Sequence, residues 1–253
     1  MFSSTAAAGA ALEGAVDAVT ACDLNDRLHS LITETWQANL GRYEPDELGD
    51  DAQTLGHTCA RNIANRAEGL VLGNRERDVD RWDISGLSVA RPHGALRLDY
   101  AGRHFHIMKA PMRHGRRPQW EKFDPWTQSS EVREYAARAN TMALHGYRTA
   151  APGQEALPVS MLPFALAAQE VHLPHFVFVW GADIASPGTS GWLGVPALGE
   201  QSFAAVHPLW SDPDDYVPGG SRRRGPTGPS YDERATNTPA LTLKPRPAHE
   251  GQA

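Results

Sequence analysis

The chain is short of cysteine and lysine and carries no long apolar run. Its 253 residues include two cysteines, Cys22 and Cys59. Two thiols build neither a disulfide framework nor a four-sulfur zinc site, so a reducing, cytoplasmic setting is the expectation. No apolar run reaches about 18 residues, the length that would signal a membrane span. No Lys or Arg precedes Arg27, and Glu13 and Asp17 interrupt the small apolar residues before it. A secretory signal would need the opposite pattern. Gly-x-x-x-x-Gly-Lys-Ser/Thr, His-Glu-x-x-His and Gly-x-Ser-x-Gly are all absent. Their absence argues against a phosphate-cradling loop, the common metallopeptidase centre and a nucleophile elbow. The three lysines, Lys109, Lys122 and Lys244, stand against 21 arginines. With abundant Ala, Gly and Pro, that balance is associated with GC-rich bacterial genomes.

What is present supports a packed core. Hydrophobic residues make up 41% of the chain and the formal net charge is -6. A wholly disordered chain is thereby excluded, and a dedicated nucleic-acid coat is disfavoured. Residues 1–22, rich in Ala, Gly and Ser, read as a flexible extension, frayed helical or disordered. Residues 211–253 include seven prolines. Their only large aliphatics are Val217, Leu241 and Leu243, too few to offset chain entropy. This reads as a disordered tail whose Arg222, Arg223 and Arg224 suit phosphate, RNA or an acidic partner.

The remaining residues, 23–210, read as a single α+β or mixed α/β domain. Asp23 is placed to cap a helix bearing Leu24, Leu28, Leu31, Ile32 and Trp36 and ending at Gly41. A second helix is expected from Pro45 to about Leu72, with Leu48, Leu55, Cys59, Ile63, Ala67 and Leu70 on one face. Alternation then marks a three-strand antiparallel meander around Leu87–Val89, Leu96–Tyr100 and Phe105–Met108, with Ala101-Gly102 as a tight turn. Ser129 or Ser130 would open a third helix with Tyr135, Ala139, Met142 and Ala143 inward. A short helix around Phe164–Val171 is weaker. Phe176–Trp180, an unbroken apolar run, reads as a strand buried on both faces, with Trp192–Val195 as its partner. The residues between, Asp183–Gly191, read as a loop.

Several residues carry chemistry. His104 and His106, two apart in a strand, face the same way and are candidate metal ligands, with His93, His114 or Asp99 as a third. The bland alternative is a polar sheet face. Arg113, Arg116 and Arg117 precede Trp120 and Trp126, with His114 and Lys122 among them. Basic and aromatic side chains interleaved in this way bind nucleic acid or a protein partner, or simply anchor a loop. Gly188-Thr189-Ser190-Gly191 precedes a strand and has the context of a hairpin loop.

The order helix, three-strand meander, helix, strand resembles the core of restriction-endonuclease-like nucleases. That resemblance implies an Asp on the second strand and Glu-x-Lys on the third, with Mg²⁺ or another divalent metal between them. Asp99 and Lys109 fall at the matching Asp and Lys positions, and Ile107 stands where the family has Glu. The leading expectation is therefore a non-enzymatic binding or regulatory protein with a protein partner. A bacterial toxin–antitoxin, stress or phage-defence module is the expected setting. The alternatives are a metal-dependent nuclease using Asp99 and Lys109, and a small-molecule enzyme with its pocket at Asp183–Gly191.

Overall fold

Ala-rich sequence with small apolar residues at helical spacing builds the first helix, α1 (Ser4–Ala21). The computed structural model describes residues 4–73, 81–111, 117–118, 120, 123–146 and 172–213. The expected flexible extension is instead part of the core: Ala8, Leu12, Ala15 and Val19 are buried. Alanines bring the helix close to its neighbours, so burial here needs no large side chain.

Asp23 follows in the left-handed region (φ 59°) and makes no side-chain cap. It is the joint between α1 and α2 (Leu24–Leu40), a backbone conformation that Asp tolerates better than most residues. In α2, Leu24, Leu28, Leu31, Ile32 and Trp36 are all buried, as their spacing implies. The expected second helix is broken. A single turn, α3 (Pro45–Leu48), ends at Gly49 with φ 68°. Then α4 (Ala52–Leu72) restarts, capped by Asp51, which accepts from Thr54 N at 2.6 Å. The break resets the helical phase, which leaves Leu48 73% exposed while Leu55, Cys59, Ile63 and Ala67 stay buried.

One six-stranded sheet runs β1 (Ser88–Ala90), β2 (Arg97–Tyr100), β3 (Arg103–Lys109), β4 (His175–Asp183), β5 (Ser186–Pro196) and β6 (Phe203–Ser211), in that spatial order. The architecture is α+β, with the meander as expected and three further strands where two were foreseen. All pairs are antiparallel except β3 with β4. A parallel pair requires a crossover, and α5 (Trp126–Ser129) and α6 (Glu131–Gly146) lie within it. Phe176, Phe178 and Trp180 pack with α1, α2 and α4. Val177 and Val179 pack with Trp126 and Ala137 on the other face. Both faces of β4 are therefore covered, which explains its unbroken apolar run.

The face of α6 also differs from expectation. Tyr135 and Met142 are 65% and 68% exposed, whereas Ala136, Ala137, Asn140 and Leu144 are buried. Asn140 sets this rotation. Its amide donates to His175 O at 2.7 Å and Pro196 O at 3.1 Å, tying α6 to β4 and β5.

The expected loop over Asp183–Gly191 is mostly strand, since β5 begins at Ser186 after a two-residue turn. Its Thr189 and Ser190 are buried. Gly191 is required by packing: a methyl group there would overlap the Trp210 ring. That ring belongs to β6, the sheet-edge strand that tolerates Pro208.

The folded unit continues past Trp210. Asp212 is buried and accepts from Thr189 N at 2.9 Å, Thr189 Oγ1 at 3.2 Å, Thr33 Oγ1 at 3.4 Å and His29 Nε2 at 2.8 Å. It links α2, β5 and the end of β6. The Asp212→Ala variant should lose about 1–3 kcal/mol, because the Thr189 amide is left buried without its acceptor. Urea denaturation of the variant checks this, and an unchanged midpoint would show that water replaces the carboxylate. The expected helix around Phe164–Val171 and the remainder of the tail, with Arg222, Arg223 and Arg224, lie outside the described residues.

Candidate functional site

The meander gathers a polar cluster on one face of the sheet. Asp99 stands opposite His104 in the β2–β3 register. His104 Nδ1 lies 2.6 Å from Asp99 Oδ1, and Arg97 Nη2 donates to Oδ2 at 2.9 Å. Burial pushes the Asp99 carboxyl upward. Hydrogen bonds from His104 and Arg97, with their charges, outweigh it and hold the group below the usual carboxylate range.

His175 completes the cluster and was not foreseen. The parallel register sets it beside His104. His106 Nε2 shares a 3.2 Å hydrogen bond with His175 Nδ1. Burial, followed by the charge of His175, pulls His106 down to about 3. Burial, followed by the charge of His104, pulls His175 down to about 4. Both rings are therefore neutral at pH 7. His104 and His106 share a face as expected. Among the described residues no group of three or more His, Cys, Asp or Glu is arranged to hold a metal ion.

Lys109 belongs to a different place. It lies five residues beyond His104, roughly 17 Å along the strand at ~3.3 Å per residue. An odd separation also puts it on the opposite face. Asp99 and Lys109 therefore do not share a site. Ile107 lies on the Lys109 face at the position where the resemblance implies Glu. These residues do not fit a Mg²⁺ centre, and the expected pairing of Asp99 with Lys109 is corrected on that geometry.

The Arg–Trp segment divides similarly. Trp126 is buried and donates from Nε1 to Ser202 O at 2.5 Å. Trp120 stacks on Phe123 at 5.2 Å and meets Phe203 edge-on at 5.3 Å. Trp120 is half-buried, and both tryptophans tie the segment to the sheet. Arg117 is exposed. Arg113, His114, Arg116 and Lys122 lie outside the described residues.

A cleft of about 1060 Å³ wraps around the open edge of β3, with α4, Ile107 and Lys109 on one side and Trp126 and Arg133, from the α5–α6 face of the sheet, on the other. It opens because β2 covers β3 only as far as His106. Beyond that point β3 pairs with β4 alone, apart from one bond from Ile107 N to Leu96 O at 3.0 Å. Ile63, Leu96, Ile107 and Trp180 supply apolar walls. The lining includes Arg61, Arg91, Lys109 and Arg133, against the carboxylate of Asp124. Arg91 is paired with Glu68 at 3.2 Å. Among the described residues neither Lys109 nor Arg133 has a carboxylate partner.

Lys109 lies over the Trp180 ring, with Nζ 5.7 Å from its centroid. Burial pulls its ammonium down to about 8, against the opposing effect of Cys59. Burial likewise pushes the Cys59 thiol up to about 12, so that thiol supplies no counter-charge near pH 7. Sequence reasoning missed Arg61, Arg91 and Trp180 as companions of Lys109. The one signal present was a rare lysine at the end of an apolar strand.

In comparisons with protein families, curated proteins and solved structures, nothing matches this chain.

Proposed function

We propose that this chain works by binding and that it holds an anionic group of an acidic protein segment in the cleft between α4 and the ends of β3 and β4. The observation that carries this reading is Lys109: an ammonium in a partly apolar cleft, with no carboxylate partner among the described residues. An ammonium so placed is costly until an anion joins it. Arg61 of α4 adds positive charge on the same side of the cleft.

The element order α4-β1-β2-β3-α5-α6-β4 is the feature on which the resemblance to restriction-endonuclease-like nucleases rests. Ile107 in the Glu position and the separation of Asp99 from Lys109 favour a relative that binds over one that cleaves. A labelled acidic peptide should bind the full chain at low salt and weaken as salt rises. Lys109→Ala should weaken it about tenfold, or about 1.4 kcal/mol. Equal binding by the variant would end this reading. Mg²⁺- or Mn²⁺-dependent cleavage of DNA or RNA that disappears in Lys109→Ala would replace it with the nuclease reading.

A further inference from the structure

We propose that Lys109 captures a small carbonyl compound as a reversible imine, while Arg61 on the same side of the cleft holds that compound's anionic group. This goes beyond the acidic-segment reading above and rests on its premise that the cleft attracts anions.

The geometry around the amine carries the inference. Lys109 lies against α4 at Gly56, where an added methyl would stand 3.1 Å from Nζ and 3.2 Å from Cε. Any side chain at that position would crowd the amine, so glycine leaves room for it. Cys59, one helical turn further on, is buried and protonated near neutral pH. No carboxylate among the described residues competes for Nζ as an ion-pair partner. Trp180, Ile107 and Leu96 make the surroundings apolar. Desolvation of this kind turns a lysine from a solvated cation into a nucleophile. With the ammonium near 8, about one amine in ten is neutral at pH 7.

The reaction balances without an oxidant or reductant. The neutral amine's lone pair attacks the carbonyl carbon, forming the C–N bond as the carbonyl π pair moves onto oxygen. Nitrogen loses a proton to solvent and oxygen gains one, giving a carbinolamine. A further proton on the hydroxyl lets it leave as water, and a C=N bond forms. Water reverses each step. The anion matters because imine formation with a dilute aldehyde in water is weak, and Arg61 lines the same side of the cleft to retain it.

Pyridoxal 5′-phosphate, an aldehyde bearing a phosphate, is a direct probe. The full chain is incubated with it, reduced with borohydride, digested and mapped by mass spectrometry. Lys122 and Lys244 are the only other lysines, and they serve as internal references without any variant. The expected result is labelling of Lys109 at least about tenfold faster than of either reference, a difference of about 1.4 kcal/mol in barrier. Equal labelling of the three overturns the proposal. Pyridoxal without the phosphate should lose most of the preference, and an unchanged preference overturns the role given to Arg61. Lys109→Arg keeps the positive charge. If it still binds the acidic peptide while the wild-type chain shows no preferential labelling, imine capture fails and the anion-binding reading survives.

Discussion

Replacing Phe178 with alanine should destabilise the chain by about 3–5 kcal/mol. Phe178 is fully buried in the central strand β4. It sits in register between Ile107 of β3 and Leu193 of β5, with its ring centroid 5.9 Å from that of Trp210. Sheet neighbours hold the backbone on both sides, so the strand cannot collapse into the space left by the ring. The helices above it are fixed by their own packing, and the loss combines transfer free energy with a residual cavity. Domains of this size have stabilities of roughly 5–15 kcal/mol, and Tm falls by roughly 2–4 °C per kcal/mol lost. Urea and thermal unfolding monitored by circular dichroism measure the effect. Phe178→Leu should recover much of it. A change under about 1 kcal/mol for the alanine variant would mean that the helices close over the hole.

Acid should unfold the chain through His106 and His175. Both imidazoles are pulled below their ordinary value in the fold, to about 3 and about 4 from 6.5. The unfolded chain therefore binds more protons than the native chain between those values. Their stabilising contribution is fully present above pH 6.5 and is lost as pH falls through the folded values. The linkage limit is about 1.4 kcal/mol per pH unit for each ring. Coupling between the two rings and partial hydration bring the expected loss between pH 6.5 and 4.5 to roughly 2–4 kcal/mol. Asp99, held below the usual carboxylate range, adds its own loss only below its unfolded value of about 3.9. Urea midpoints measured across this pH range should fall steadily from pH 6.5 downward. His106→Leu should flatten the slope. A wild-type midpoint that stays level from pH 6.5 to 4.5 would show both rings to be protonated in the native chain.

Large apolar residues made α2, the meander and β4 legible. Leucine and isoleucine spacing specifies a face only when those residues are the ones that go inside. In α6 they are not: Asn140 is buried by its bonds to β4 and β5, and Tyr135 and Met142 turn outward. In α1 two of the four buried residues are alanine, which carries little hydrophobic signal by itself. In β5 the Ser, Gly and Thr residues look like loop chemistry, yet Thr189 is buried among Thr33, Trp210 and Asp212. Those partners are 21 or more residues away in the chain, and local pattern cannot report them.

The candidate site divides along the same line. Strand alternation alone places His104 and His106 on one face and Lys109 on the other, because side chains in a strand alternate with period two. The sequence alone likewise determines the α+β class, through helical spacing followed by alternation. Only the tertiary structure decides that β2 stops short and opens the edge of β3, that α4 brings Gly56 against Lys109, and that Arg61 lines the same side of the cleft. Periodicity records which way a side chain points within its own element, whereas a cleft is formed by elements meeting across the chain.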